Sequence, residues 1–390
     1  MTVSGRGLLP RMRRRDPEEQ HRAASPLELF FDLVFVVAVS FSSQQLHHME
    51  ADGLLGQAVL GYLMVFFAIW WAWMNFTWFA TSFDTDDWLY RVMTIVQMAG
   101  VLVLAAGTGP AMEEHDFALV TLGYVIMRLA LVVQWIRAAL EDPGVRAVAL
   151  RYAVGVTLVQ VAWVARLALP EAAGFIVFFV LVAAEISVPV WAESHGGTPW
   201  NPHHITERYS LFTLILLGES ILASANAAVE AFDSGHHVPS LVAVSSAGLV
   251  IAAGMWWIYF SRPQHSFVGS LRSSLTYGYF HYVIFAAAGA FSAGVEVAID
   301  GIEDETGTGS FAAAGTLTIP VALFAVSIWA LVLRHSLSAA ENVVFLVGVV
   351  LVLVGTVLPG VLTVVAAAVG IIVAARATER GRVGHGVVGE

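Results

Sequence analysis

The stretch LGQAVLGYLMVFFAIWWAWMNFTWFA, residues 55–80, runs 26 positions without an Asp, Glu, Lys or Arg. A helix needs about 20 mostly apolar residues to cross about 30 Å of hydrocarbon, so this segment reads as a membrane span. Working outward, eleven further stretches have the same character: 27–46, 89–108, 117–137, 147–169, 171–191, 207–229, 239–260, 274–296, 311–333, 341–357 and 360–376. Only Leu358, Pro359 and Gly360 separate the last two, which leaves a broken helix and a tight hairpin both open. The expected fold is all-α, a polytopic integral membrane bundle of about 12 transmembrane helices.

Composition agrees. Of 390 residues, 58% are hydrophobic and 13% charged, against about 25% charged in soluble domains. Much of any folded surface faces solvent, so a water-soluble chain of this size has no place to hide that much apolar area. This excludes a soluble enzyme and a soluble nucleic-acid-binding domain. All 19 basic residues are Arg and the net charge is −11, which argues against a general affinity for nucleic acid. There is no Cys, so disulfides, thiolate metal sites, iron–sulfur clusters and thiol catalysis are excluded. A Walker A loop requires Lys, and no Gly-x-Ser-x-Gly elbow occurs. The run Gly384–Gly389 fits a dinucleotide-binding glycine pattern but lacks the flanking strand and helix, and reads as a flexible tail. Thr306–Ser310 reads as a loop. No cofactor is expected, and nothing marks the chain as an enzyme.

The arginines orient the spans. With the N-terminus inside, 17 of the 19 fall on inner segments or on the span ends beside them; Arg128 and Arg166 lie within spans, and the outer loops hold none. Those outer loops are acidic instead, at Glu113–Glu114–His115–Asp116 and Glu303–Asp304–Glu305. This is the positive-inside pattern, and it expects both termini in the cytoplasm. Residues 1–24 form a basic arm whose Arg11, Arg13, Arg14 and Arg15 are expected to fix topology and touch anionic lipid headgroups. A signal peptide is the rejected alternative, because the first apolar stretch carries Asp32 and lacks a small-residue cleavage site.

Three landmarks suggest two parallel six-helix repeats. Asp32 and Glu219 differ by 187 positions, His47–His48 and His236–His237 by 189, and Trp70–Trp71 and Trp256–Trp257 by 186. The competing reading is that Trp collects at membrane interfaces anyway. The corresponding division is a cytoplasmic arm (1–24), a first half (25–196), a second half (197–376) and a cytoplasmic tail (377–390). Six is even, so the halves would be related by an axis along the membrane normal, as in some transporters.

Two segments carry a family likeness. Ser25-Pro-Leu-Glu-Leu-Phe-Phe-Asp-Leu-Val-Phe-Val-Val-Ala-Val-Ser40, followed by His47–His48, resembles the opening motif of the bacterial low temperature requirement protein A family. The run His203-His-Ile-Thr-Glu-Arg-Tyr-Ser-Leu-Phe-Thr-Leu-Ile-Leu-Leu-Gly-Glu-Ser220 is similar to its second signature, although family members often carry Gly where this chain has Ser210. The resemblance implies a multi-pass protein of the bacterial cytoplasmic membrane. It supplies no catalytic residues, because the family is named for a growth phenotype in the cold and its chemistry is not established.

Ionisable groups at bilayer depth cost about 2.5–3.5 kcal/mol each on insertion scales and normally face a partner or the bundle interior. Glu28 and Asp32, four residues apart, share one face of the first span. They read either as a cation or proton site or, for Glu28, as a carboxylate at a helix N-terminus. Arg128 stays charged and therefore needs an acid; Asp32, Glu185 and Glu219 are the available ones. Gly218 and Ser220 flank Glu219 and would let another helix approach. His281 reads as a proton relay or as a satisfied core residue. Arg166 and Glu296 are expected to snorkel, and Asn75, Gln97, Gln134 and Gln160 to bond between helices. His47, His48, His236 and His237 are weak candidates for an outer-face metal, because adjacent residues on a helix point about 100° apart.

The leading functional expectation is a secondary transporter or an ion- or proton-coupled permease, in which Asp32 and Glu219 bind the coupling cation or substrate and Arg128 neutralises them. Its partners would be membrane lipids and a small-molecule or ion substrate, with no nucleic acid; a homo-oligomer is left open. The alternatives are a structural or regulatory membrane protein whose buried charges only fix packing, and an intramembrane enzyme acting on lipid.

Overall fold

The computed structural model describes residues 9–19, 22–194, 196–234, 237–303 and 311–383. Among the described residues all regular structure is helical. A helix satisfies its own backbone polar groups, which hydrocarbon does not do for it. The elements are α1 (Pro26–Ala51), α2 (Leu55–Phe83), α3 (Trp88–Ala106), the short α4 (Thr108–Glu113), α5 (Ala118–Glu141), α6 (Arg146–Arg166) and α7 (Glu171–Glu193). They continue with α8 (Pro202–Ser234), α9 (Val238–Tyr259), α10 (Leu271–Glu303), α11 (Phe311–Ile328, prolonged by a π-helical turn to Leu333), α12 (Ala339–Val354) and α13 (Val361–Val383). All but α4 are long and apolar enough to cross a membrane, which makes 12 candidate spans. Each span expected from hydropathy has its helix. One boundary matters: α8 begins at Pro202, five residues before its expected start, so His204 stands inside the helix, one turn before Arg208.

The last two spans are separate helices. Leu358 is extended (φ −96°, ψ 146°) and Gly360 is left-handed (φ 51°), a conformation that glycine adopts without steric cost. The Thr363 hydroxyl closes the turn by donating to the Leu358 carbonyl at 2.6 Å.

The chain forms two compact units. The first comprises Met1–Phe41 and Phe67–Arg208, the second Ser42–Phe66 and Tyr209–Glu390. The long helices α1, α2 and α8 therefore contribute to both. Within the first unit α3 and α5 cross tightly: a Cβ on Gly123 would lie 2.5 Å from the Gly100 carbonyl oxygen, so only glycine fits. Within the second, a Cβ on Gly294 of α10 would lie 2.5 Å from Leu317 Cα of α11. Lipid tails are as apolar as leucine, so spanning helices associate through such close small-residue crossings.

The N-terminal arm is tied into the first unit. Met12 is fully buried, and its amide donates to the Glu141 carboxylate. The Arg15 amide donates to the Ser82 carbonyl at 2.8 Å, and Arg137 reaches the Pro10 carbonyl at 2.8 Å. Arg14 lies 3.4 Å from Asp142, while Arg15 bonds Glu19 and stands 3.7 Å from Asp84. Arg14 and Arg15 thus meet carboxylates of their own unit, while Arg11, Arg13 and Arg14 are exposed. The acidic residues 304–305, the glycine-rich 306–310, His236 and the tail 384–389 lie outside the described residues.

Candidate functional site

Two buried carboxylate centres stand inside the first unit, and their charge balance differs. The first is built on α1 and α8. Ser25 and Glu28 open α1 as a reciprocal cap: the Ser25 amide donates to Glu28 at 2.8 Å and the Glu28 amide to the Ser25 hydroxyl at 3.3 Å. One turn on, Asp32 points to the same side. Arg208 of α8 meets both acids, with Nη2 2.5 Å from Asp32, Nε 3.2 Å from the other Asp32 oxygen, and Nη1 2.8 Å from Glu28. His204, one turn before Arg208, places Nε2 3.3 Å from Glu28, and its Nδ1 is buried without a hydrogen-bond partner. The Trp73 indole donates to Asp32 at 2.7 Å. Asp32, His204 and Arg208 have no exposed surface, and Glu28 has 1%.

In direct contact, two carboxylates share one guanidinium, and the buried Arg22, bonded to the Ala80 carbonyl at 2.7 Å, stands within electrostatic reach of Glu28. Two acids sharing one guanidinium repel each other in low dielectric, and a single added proton or cation relieves that repulsion. The sequence reading offered Asp32 as one of three acids for Arg128; the cation in contact with Asp32 is Arg208.

The second centre is Glu185 of α7. It accepts from Trp71 (2.9 Å), Tyr124 (2.8 Å), Arg128 (3.0 Å), Gln160 (2.9 Å) and Trp163 (3.3 Å). Arg128, 1% exposed, thus meets one of the three acids the sequence put forward. Here one acid faces one base, and both carboxylate oxygens are saturated with donors. The centre is neutral as it stands and cross-links α2, α5, α6 and α7.

Other candidates separate clearly. Arg166 does not snorkel: it is 8% exposed, donates to the Gly174 carbonyl at 2.7 Å, and lies over Phe117, Phe178 and Trp163 at 4.9, 5.3 and 5.8 Å. Aromatic faces hold its cation better than a reach to the interface would. Gln97 donates to Gln134 across α3 and α5 at 3.2 Å, whereas Asn75 bonds its own helix at the Trp71 carbonyl.

In the second unit, His281 Nδ1 lies 2.7 Å from the Tyr277 carbonyl and Nε2 3.0 Å from the Tyr259 hydroxyl. A carbonyl only accepts, so Nδ1 carries the proton and Nε2 accepts from Tyr259. That is the geometry of a satisfied core histidine. Glu296 does not simply snorkel either: His47 places Nδ1 3.3 Å from it and Nε2 2.7 Å from Asp300. Among the described residues no group of three or more His, Asp or Glu is arranged to hold a metal ion. Glu219 is half-buried in this unit, within electrostatic reach of Glu296. A Cβ on Gly218 would meet nothing within 4 Å, so no helix packs there as expected.

The sequence reading missed Arg208, His204 and Trp73 as site residues. Arg208 had counted only as a topological charge. A signal was present: His204 and Arg208 stand four apart on α8, matching the Glu28–Asp32 spacing on α1.

The cluster's loop-side neighbour, Asp84, lies just beyond α2. Burial pushes its carboxyl up to about 6, with the charge of Glu28 adding to the rise and Arg22 and Arg15 opposing it. Its folded-state value exceeds the ordinary 3.8, so the native state binds the extra proton between about pH 4 and pH 6. Stability is therefore expected to fall as pH rises through that window, by up to about 3 kcal/mol. Thermal unfolding of Asp84→Asn against the wild type checks this. The variant should lack that part of the pH dependence and gain stability at pH 7; identical profiles would refute the assignment.

Fold and site together define a multi-pass α-helical membrane protein with charged centres sealed inside its helices. The family model described as bacterial low temperature requirement A protein (LtrA) matches residues 23–376, and the chain belongs to that family. It is similar to an uncharacterized protein of Rhizobium meliloti (strain 1021), with 27% identity over 261 residues that cover 64% of this chain. The matched region spans 61% of that relative's length. No solved structure matches.

Proposed function

We propose that this protein is a cation- or proton-coupled secondary transporter of the bacterial cytoplasmic membrane, with Glu28, Asp32, Arg208 and His204 as its coupling site. The observation that carries the reading is two buried carboxylates sharing one guanidinium in direct contact, beside a histidine whose second ring nitrogen has no hydrogen-bond partner. A purely architectural ion pair gains nothing from a second buried acid, whereas a site that loads and unloads a positive charge needs one. His204, with one ring nitrogen on Glu28 and the other unpartnered, is placed to take the proton. The Glu185 centre, already neutral, serves as the rigid frame.

Both termini lie in the cytoplasm in this proposal, as the arginine distribution supports. Two parallel six-helix halves fit it as well. The α3–α5 crossing at Gly100 and Gly123 and the α10–α11 crossing at Gly294 and Leu317 are both offset by 194 positions. Asp32 and Glu219, 187 positions apart, stand seven residues out of that register, and the Asp32 cluster carries the coupling.

The test uses proteoliposomes loaded with a pH-sensitive dye and challenged with a sodium gradient, a potassium gradient or a membrane potential. Wild-type protein should give a response that depends on external pH. Asp32→Asn and His204→Gln should abolish it. A silent wild type, or wild-type responses from both variants, would remove the coupling site.

A further inference from the structure

The second unit contains a groove with a different chemistry. It holds about 400 Å³ between the C-terminal end of α1, the first turns of α2, and α10 and α11. That is near the lower end of the ligand-pocket range of about 300–1,000 Å³. Small residues hollow its floor, among them Ala286, Ala287, Ala290, Ala312 and Gly315. The few polar groups there are already engaged. Tyr62 donates to the Ala286 carbonyl and Tyr282 to the Leu63 carbonyl, each at 2.8 Å, so two tyrosines staple α2 to α10 reciprocally. Thr316 donates to the Ala312 carbonyl at 3.1 Å. A guest finds no hydrogen bond on offer and must itself be hydrocarbon.

Dimensions and rim narrow the guest further. From Phe311 to Leu323 the groove follows 13 residues of α11, about 18 Å at about 1.5 Å per step. One leaflet of hydrocarbon is about 15 Å deep. The rim residues Val59, Phe311, Ile319 and Leu323 are 42–67% exposed on spanning helices, so the groove opens to the bilayer.

At the end marked by Leu46, Leu55 and Phe311 stands the His47–Glu296–Asp300 group, with Glu50 in electrostatic reach. Three carboxylates there outnumber two imidazoles, the His48 ring lying 5.3 Å from that of His47. Such an excess attracts an ammonium and repels a headgroup of net negative charge.

We propose that this groove binds one acyl chain of a membrane phospholipid with an amine headgroup, phosphatidylethanolamine in kind, whose ammonium faces Glu296 and Asp300. The chain lies along α11 with its methyl end toward Leu323, between the tyrosine staples and the bilayer.

The full-length protein is reconstituted in nanodiscs containing phosphatidylethanolamine or phosphatidylglycerol that carries a photoactivatable diazirine on one acyl chain. After illumination, label is mapped by mass spectrometry. Label is expected on α10 and α11 within residues 282–323, with about fivefold preference for the ethanolamine lipid, as one headgroup charge contact provides. Ala287→Phe or Ala312→Phe, which fill the floor, should remove that label about tenfold or more. Val350→Phe, on the exposed face of α12, should leave it intact. Using both filling variants guards against one failing to fold. Glu296→Gln with Asp300→Asn should erase the headgroup preference while acyl labelling persists. Equal labelling of folded filling variants and wild type, or label spread evenly over the exposed helices, would overturn the acyl site. Equal use of both lipids by the wild type, or a preference for phosphatidylglycerol, would overturn the headgroup assignment.

Discussion

Replacing Arg208 by methionine is expected to destabilise the folded protein by about 3–5 kcal/mol, the cost of leaving buried charges unpaired. The guanidinium has no exposed surface and makes three close contacts to Glu28 and Asp32. Without it, two carboxylates one helical turn apart lose the cation they both contact, and they repel each other at low dielectric. Adding Asp32→Asn to Arg208→Met should recover much of the loss, because one of the two orphaned charges disappears. Arg208→Lys should fall between, since a point ammonium does not reproduce a fork that meets two acids at once. Unfolding in detergent, followed by tryptophan fluorescence, measures all three. Equal stability of Arg208→Met and wild type would mean that the cluster is not the closed ion network described above.

The second large effect concerns the neutral centre. Glu185→Leu should also cost about 3–5 kcal/mol, because Arg128 would be left buried and uncompensated. Removing both charges, as Arg128→Leu with Glu185→Leu, should return stability close to wild type, since a well-packed apolar pair often replaces a buried ion pair without loss. The decisive readout is the proteoliposome response. The double variant should keep its pH dependence if Glu185 and Arg128 are frame. A folded double variant that has lost the response would move the coupling site from Asp32 to Glu185.

Much of the fold was legible because hydropathy is summed along the chain. The segment 55–80 announced α2, and the same reading found every other spanning helix, including the doubtful pair at Leu358–Pro359–Gly360. Boundaries were softer. Span seven was expected from 207, yet α8 starts at Pro202, because His203, His204, Glu207 and Arg208 lower the local hydropathy without ending the helix. That shift hid His204. Arg208 scored as one more inner arginine, while its burial depends on α8 lying against α1, 176 residues earlier in the chain. Arg166 failed in the opposite way. Its place near a span end suggested snorkelling, but Phe117, Trp163 and Phe178 converge on it from three different parts of the chain.

The chain by itself determined a bilayer-spanning helical protein, its span count, and the short roll of charges that have to be accounted for inside it. These follow from transfer energies added over about 20 consecutive residues, which need no neighbour to be known. Which acid meets which base was decided only in three dimensions. Each helix turns its side chains by about 100° per residue, so a partner is chosen by rotation and packing of helices distant in sequence. That choice made Glu185 and Arg128 a closed neutral pair, and it left Glu28 and Asp32 sharing Arg208, with His204 beside them.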